Sequence, residues 1–186
     1  MSNNLEFDEM FRVDPDVAIG LEAVTRFQSI KRWHMIDTTR TQSIAEHSAN
    51  VALLAYHIAV SAPAGYFGSA AGILLPALVH DLPEVFIGDI PTHSKKCISG
   101  VNELEEKLMP FEFRCEVTDD MALMIKLCDL ADGIRFIERY GVDRVAIFAT
   151  EGLRKQLDMK LLSARASWPS NVYDHVAEKI TIYTMQ

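Results

Sequence analysis

Four residues of metal-binding type lie among mostly apolar neighbours in this 186-residue chain. They are His47, His80, Asp81 and Asp129. A carboxylate placed among apolar residues costs several kcal/mol unless it is paired, hydrogen-bonded or bound to a metal. Two neutral imidazoles and two carboxylates suit a divalent first-row ion such as Mn²⁺, Co²⁺, Fe²⁺ or Zn²⁺. Such a set would leave coordination positions open for water and a substrate oxygen, so it indicates a divalent-metal site.

Each member also has a purely structural explanation when it is taken alone. His80 can end a helix while Asp81 caps the next turn. His47 can be a hydrogen-bonded core histidine. Asp129 can be a carboxylate on a helix surface, and for the nearby Asp132 that remains the expectation. The argument for a site therefore depends on the combination of the four residues and not on any single one.

The apolar pattern that must position these residues is helical along nearly the whole chain. Apolar side chains recur at helical spacing over about residues 15–29, 42–60, 70–80, 101–109, 119–140, 142–161 and 172–185. Pro76 is expected to kink the third of these helices or to mark its start, and Gly141 is expected to end the helix 119–140. Alternating strand patterns are nearly absent. The sequence therefore predicts an all-α fold in one domain spanning residues 1–186.

Composition restricts the classes of partner that this chain can have. The net charge is −8, which argues against binding a nucleic acid polymer through its phosphates. The three cysteines form no CxxC motif and indicate reduced thiols. The longest apolar stretch, residues 70–79, has about half the length needed to cross a bilayer. We expect a soluble, cytoplasmic protein with no membrane partner.

The order His, His-Asp, Asp resembles the pattern of the HD superfamily of metal-dependent phosphohydrolases. Flanking segments are similar to those of the bacterial 5′-deoxynucleotidases of the YfbR-like family. Arg32-Trp33 resembles their Arg-Trp pair, and residues 40–48, RTQSIAEHS, resemble R-T-x-x-V-x-E-H-S. Residues 80–95 match H-D-x-x-E-x-x-x-G-D-x-P-T-x-x-K position for position, and residues 126–129 match K-x-A-D with cysteine replacing alanine. The resemblance covers about residues 20–140 and implies an HD-domain helical bundle.

The same resemblance assigns roles to individual residues of this chain. It implies that His47, His80, Asp81 and Asp129 hold the metal. Glu84, three residues after Asp81, is then the general acid or base. Asp89 is expected to contact the sugar or to assist at the reacting phosphate.

Further residues are expected to bind the substrate. Arg32 offers a planar fork for the phosphate, and Lys95 adds a point charge. The family resemblance implies that Trp33 forms a flat wall that helps exclude a ribose 2′-hydroxyl. Met35 follows shortly after and is a candidate contact for the base.

The function implied is hydrolysis of a 2′-deoxynucleoside monophosphate to a deoxynucleoside and phosphate. One alternative is a dATP or dNTP triphosphohydrolase like a related phage enzyme, which releases triphosphate. A second alternative is a degenerate HD module that binds a nucleotide as a regulator without catalysis. The cofactor is a divalent cation (Mn²⁺, Co²⁺, Fe²⁺ or Zn²⁺), with Mg²⁺ as a candidate second ion. Family resemblance also implies a homodimer or a higher homo-oligomer.

Overall fold

The computed structural model describes residues 19–95 and 97–186, so the expected helix start near residue 15 lies outside the described residues. Within these ranges the secondary structure is helical, apart from isolated bridges, and two short 3₁₀ turns lie at Pro63–Gly65 and Phe111–Phe113. The all-α prediction is confirmed. The α-helices in chain order are α1 (Ile19–Phe27), α2 (Ile44–Val60), α3 (Ala70–Val79), α4 (Glu84–Ile87), α5 (Thr92–Lys95), α6 (Val101–Leu108), α7 (Asp119–Tyr140), α8 (Arg144–Ser167) and α9 (Ser170–Met185).

The core is built around α7, which packs against α2, α8 and α9, while α2 also packs against α3. Three of these helices begin at residues whose side chains cap the first turn. Ser43 accepts a hydrogen bond from the backbone N–H of Glu46, and Thr118 accepts one from Met121. Asp143 caps α8 in the same way. These caps satisfy N–H groups that have no partner within their helix, which is why the helices begin there.

Residues 70–87 form the most apolar part of the chain. By length and composition, the 18-residue stretch Ala70–Ile87 would be long and apolar enough to cross a membrane. In the fold it consists of α3, a turn and α4, and 44% of it is buried inside the protein. Pro76 lies inside α3 and does not start it.

Gly141 ends α7, as predicted, but without the left-handed conformation common at such positions. Its backbone is extended, with φ −72° and ψ 138°. A Cβ atom here would lie 2.6 Å from the Cβ of Ala146 and 2.7 Å from the carbonyl oxygen of Ile137. Glycine is therefore required by close packing between the end of α7 and the start of α8.

Replacing Gly141 with alanine is expected to destabilise the protein by about 1–3 kcal/mol, because backbone and packed side chains must move apart. The matched control is Gly152→Ala within α8, where a Cβ atom would meet nothing within 4 Å. That variant is expected to gain up to about 1 kcal/mol from helix propensity. Urea unfolding of both variants measures the difference. Equal stability changes in the two variants would contradict this account.

The loop between α1 and α2 carries Arg32 and Trp33 and is pinned at both ends. Near its base, the N–H of Arg32 donates to the Gln42 carbonyl at 2.9 Å, and the N–H of Ile44 donates to the Ile30 carbonyl at 3.0 Å. Its tip pairs with the end of α7, where the N–H of Thr39 donates to the Tyr140 carbonyl at 2.8 Å. The loop is thereby held across the ends of α2 and α7, next to the metal-ligand residues.

Candidate metal centre

Three helices bring the four candidate ligands together. His47 lies in the first half of α2, His80 and Asp81 directly follow α3, and Asp129 lies in the middle of α7. Donor atoms of His47, His80 and Asp129 all lie within 4.8 Å of one another. Asp81 joins them, with its Oδ2 3.6 Å from His47 Nε2 and its Oδ1 3.3 Å from His80 Nε2.

The two imidazoles present their Nε2 atoms to this cluster. The Nδ1 of His80 lies 2.7 Å from the Ala77 carbonyl and donates to it, which leaves Nε2 as the free acceptor of the neutral ring. That Nε2 is buried and has no hydrogen-bond partner. Burial also lowers the pKa of His80 and so favours the neutral, metal-binding form. An unpartnered imidazole nitrogen facing a carboxylate fits a divalent cation.

His47 is held by a carboxylate that the sequence interpretation placed on the helix surface. Asp132 is 1% exposed, and its Oδ2 lies 2.7 Å from His47 Nδ1. On the opposite side of the ring, His47 Nε2 lies 3.1 Å from Asp129 Oδ1. The surface assignment of Asp132 is wrong because one turn of helix separates it from Asp129 and both face α2.

The two acidic candidate ligands are already surrounded by cations. Arg32 Nη1 lies 2.6 Å from Asp81 Oδ2, and Arg32 Nη2 lies 3.8 Å from Asp129. Lys126 Nζ lies 2.6 Å from the other oxygen of Asp129. Burial alone would raise the pKa of Asp129, but Lys126 and the hydrogen bond to His47 lower it well below its usual value. Both carboxylates are therefore ionised, which metal binding requires.

Glu84 begins α4 and is 4% exposed. Its Oε1 accepts a hydrogen bond from Lys95 Nζ at 2.9 Å, while its buried Oε2 has no partner. Lys95 also lies 2.7 Å from Glu105, so it is shared between two carboxylates. Burial and the neighbouring Asp81 carboxylate raise the pKa of Glu84 to about 8. A buried carboxyl group that keeps its proton near neutral pH can act as a proton donor.

Trp33 is fixed by both its backbone and its indole. Its φ of 61° lies in the left-handed region, and its N–H donates to Asp89 Oδ2 at 3.2 Å. The indole Nε1 donates to Gln42 Oε1 at 3.0 Å, and the Arg32 guanidinium lies over the ring. On α7, Gly133 leaves room for the ring, because a Cβ atom there would lie 3.3 Å from it. The structure thus brings Arg32, Trp33 and Asp89 together.

Two predictions about neighbouring residues fare differently. Lys95 lies beside Glu84, with its Nζ 2.9 Å from Glu84 Oε1. Met35 is 61% exposed and does not line the cavity described next. The role of Met35 as a base contact stays a prediction.

A cavity of about 570 Å³ opens beside His80, Asp81 and Asp129. Its volume is within the usual range for small-molecule sites. Pro76, Val79 and Glu106 also line it, and the sequence interpretation missed the wall formed by the connection between α6 and α7 and by the first half of α7. This wall includes Met109, Phe113, Arg114, Cys115, Val117, Ala122, Ile125 and Lys126. The apolar residues between positions 109 and 117 do not recur at helical spacing. Only knowledge of which residues are close in space could therefore have placed them beside the candidate ligands.

Comparison with known proteins decides the family. A family model described as 5'-deoxynucleotidase YfbR-like matches residues 21–114, just over half of the chain. The chain belongs to this YfbR-like family. The match includes His47, His80 and Asp81 but ends before Asp129, whose place in the cluster rests on the structure.

Within and around the YfbR-like family, the chain is similar to proteins named dATP triphosphohydrolase and to proteins named 5'-deoxynucleotidase. It is 42% identical over 87 residues to a dATP triphosphohydrolase of Salmonella phage PMBT28, covering 44% of this chain and 45% of that protein. It is 30% identical over 109 residues to a 5'-deoxynucleotidase of Yersinia pestis (strain Pestoides F), covering 50% of this chain and 55% of that protein. The chain thus spans about half the length of these two relatives.

A solved structure extends the likeness to nearly the whole YfbR-like chain. It is the Cyanophage S-2L HD phosphohydrolase, bound to dA and one catalytic Zn²⁺ ion. The TM-score is 0.69 at 25% identity, with 91% of this chain and 98% of that chain covered. The predicted HD-domain helical bundle is confirmed.

Proposed function

We propose that this chain is a divalent-metal-dependent phosphohydrolase of 2′-deoxynucleotides. Its reaction cleaves the bond between the 5′-oxygen and the first phosphorus, so that water adds to phosphorus and the deoxynucleoside departs. The observation that supports this best is the juxtaposition of the His47, His80 and Asp129 donor atoms with the buried Glu84 carboxyl. Names of the family and of the relatives support the class of substrate.

His47, His80, Asp81 and Asp129 would hold the metal. When bound, a divalent ion supplies Lewis acidity to the phosphate and lowers the pKa of water. The candidates are Mn²⁺, Co²⁺, Fe²⁺ and Zn²⁺, with Mg²⁺ as a second ion. The Zn²⁺ in the cyanophage structure favours testing zinc first.

The remaining residues bind the substrate and move a proton. Glu84 gives its proton to the departing 5′-oxygen, since burial keeps that carboxyl protonated near neutral pH. Arg32 stabilises charge on the phosphate oxygens, a role that requires its guanidinium to exchange part of its pairing with Asp81 for the substrate. Trp33 and Asp89 form the part of the site that contacts the sugar.

The charges around the cluster support a monophosphate as the substrate. Among the described residues, three cations near the cluster each lie within 3 Å of an ionised carboxylate: Arg32 of Asp81, Lys95 of Glu105, and Lys126 of Asp129. A fourth, Arg114 on the cavity wall, donates to the backbone carbonyls of Met109 and Glu106 and keeps its charge for a phosphate. Arg40, a further candidate for a longer phosphate chain, is paired with Glu46 at the surface. A monophosphate needs less free positive charge than a triphosphate does.

A second candidate is hydrolysis of a deoxynucleoside triphosphate with release of triphosphate. This candidate is favoured by the dATP triphosphohydrolase of the Salmonella phage and by the fold match to the cyanophage enzyme bound to dA. Both candidates break the same bond and leave the same deoxynucleoside. They differ in the length of the phosphate chain that is released beside the deoxynucleoside.

Product analysis separates the candidates. Purified protein loaded with Zn²⁺, Mn²⁺ or Co²⁺ is incubated with a panel of dNMPs and dNTPs and with the matching ribonucleotides. We expect deoxynucleoside and orthophosphate from the dNMPs, with ribonucleotides turned over at least about tenfold more slowly, because a wall that excludes one hydroxyl discriminates at that level or more. Triphosphate release from dATP with dNMPs inert would establish the second candidate. Tight nucleotide binding without any product would establish a regulator instead.

Cytoplasmic location and assembly into a homodimer or a higher homo-oligomer belong to the same proposal. Assembly is supported by large apolar side chains exposed on α8, where Phe148 is 68% exposed and Leu162 is 65% exposed. The negative net charge supports the absence of a nucleic acid polymer among the partners.

A further inference from the structure

Asp132 is a buried carboxylate that accepts hydrogen bonds from four side chains of the described residues. Its Oδ2 accepts from His47 Nδ1 at 2.7 Å and from Gln42 Nε2 at 2.8 Å. Its Oδ1 accepts from Asn50 at 3.0 Å and from the hydroxyl of Tyr183 at 2.8 Å. Two carboxylate oxygens offer about four acceptor positions. Asp132 therefore has no acceptor position left for a metal.

The direction of these hydrogen bonds is fixed by chemistry. An indole N–H only donates, so the Gln42 atom 3.0 Å from Trp33 Nε1 must be the amide oxygen. The Gln42 amide nitrogen then points at Asp132, which only accepts when it is ionised. One continuous path of directed hydrogen bonds thus runs from Trp33 through Gln42 to Asp132, and His47 donates to the same oxygen.

The same carboxylate determines which nitrogen of His47 is free. Because Asp132 accepts from Nδ1, the nitrogen that can give up its hydrogen to offer a lone pair to a metal is Nε2, which without a metal donates to Asp129 at 3.1 Å. Hydrogen bonds of this kind fix the tautomer and the ring orientation of a metal-binding histidine, and losing them costs about 10–100-fold in metal affinity.

We propose that Asp132 is a positioning residue for His47, and that Gln42 extends its hydrogen-bond network to Trp33. One buried carboxylate then orients both a metal ligand and the indole wall. The inference rests on the proposed function only in that a divalent metal binds at His47. A purely structural role, in which Asp132 merely ties α7 to α2 and α9 through Asn50 and Tyr183, is the competing explanation.

Metal affinity distinguishes the two explanations, and the chain offers a matched control. Asp120 lies on the same helix and accepts from an indole, Trp168 Nε1 at 2.7 Å, and from a tyrosine hydroxyl, Tyr66 at 2.8 Å. It makes no contact with the metal-ligand residues among the hydrogen bonds that the structure shows. Asp132→Asn and Asp120→Asn both replace a carboxylate that accepts from an aromatic donor, so each costs stability.

Zn²⁺ and Mn²⁺ dissociation constants, measured by competition with a chromophoric chelator, are the readout. Asp132→Asn is expected to weaken binding by about 10–100-fold, and Asp120→Asn by less than about threefold. Equal affinities in the two variants would leave Asp132 with a structural role alone. If Asp132→Asn does not fold, the double variant Asn50→Ala, Tyr183→Phe replaces it, because this change removes both donors to one oxygen of Asp132. The double variant is expected to weaken metal binding at least about threefold. Unchanged metal affinity in this variant also overturns the inference.

The link to Trp33 is tested by fluorescence. Trp33 and Trp168 are the two tryptophans of the chain, so Trp168→Phe isolates the Trp33 emission. In that background, Gln42→Leu removes the acceptor of the indole and is expected to raise acrylamide quenching of Trp33 at least about twofold, since a released ring gains solvent access. Asn50→Leu, which removes a different donor to Asp132, is the control and is expected to leave quenching unchanged. Equal quenching in both variants would remove Gln42 from the network.

These measurements separate the inference from the proposed function. A wild-type protein that binds Zn²⁺ or Mn²⁺ but hydrolyses no deoxynucleotide leaves the positioning role intact and overturns the function. A wild-type protein that binds neither ion overturns both.

Discussion

Replacing His80 with alanine is expected to remove the metal and to lower turnover by at least about a thousandfold, which corresponds to about 4 kcal/mol of transition-state stabilisation. His80 Nε2 is buried without a hydrogen-bond partner, and it faces the donor atoms of His47 and Asp129. Among the described residues of the cluster, no other side chain can take over the metal-binding position of this nitrogen. Metal content by mass spectrometry and steady-state kinetics measure the loss.

The matched control is His57→Ala, which removes an exposed histidine from the end of α2. That variant is expected to keep wild-type metal content and turnover. Circular dichroism checks that His80→Ala retains its helices, because only the hydrogen bond to the Ala77 carbonyl is lost from the fold. A folded His80→Ala protein with wild-type turnover would show that the metal site has been assigned to the wrong residues.

Replacing Glu84 with glutamine is expected to lower kcat by about 10²–10⁴-fold while metal affinity stays within about threefold. The glutamine keeps the shape of the side chain but holds no proton that it can transfer. Glu84 is buried, and its pKa is raised to about 8, so its acidic form predominates at neutral pH and is lost as the pH rises through that value. Wild-type kcat should therefore fall on the alkaline side, and Glu84→Gln should lose that dependence.

Glu105 provides the control for Glu84, since both carboxylates pair with Lys95. Glu105→Gln replaces the other acidic partner of Lys95 without touching the proposed proton donor. Its kcat is expected to stay within about threefold of wild type. Equal losses of kcat in the two variants would show that the charge on Lys95, and not a proton from Glu84, determines the rate.

The helices could be predicted wherever periodicity and end signals agree. The helix 119–140 has the bounds predicted from its apolar spacing and from Gly141, and the structure adds Thr118 as the residue that caps its start. α8 was expected to stop at residue 161, but it continues to Ser167, since exposed apolar residues such as Leu162 blur the pattern there. α4 and α5 have four residues each, too few for a period to be visible.

The residues of the site could be predicted where the family motif names them. They could not be predicted where only the packing of the helices determines which side chains join the site. The ligands came from the order of His, His-Asp and Asp, and the structure brings these residues together. Asp132 was misplaced although residues three apart share a helix face, so that placing Asp129 in the site should have placed Asp132 beside it. Met35 follows Trp33 by two residues and is exposed, and its role as a base contact stays a prediction.

The left-handed backbone at Trp33 sets folding stability against the placement of the indole. An L-residue at φ 61° carries about 1–2 kcal/mol of conformational energy that glycine would not carry. The hydrogen bonds to Asp89 and Gln42 hold the loop in this shape against its local preference. Glycine at position 33 would relieve that energy but would lose the packing of the indole against the Phe136 and Ile137 cluster and its hydrogen bond to Gln42, a loss of about 3–5 kcal/mol. The tryptophan therefore stabilises the loop by more than its backbone costs, so thermostability engineering of this protein has nothing to gain at a position that the proposed substrate wall also needs.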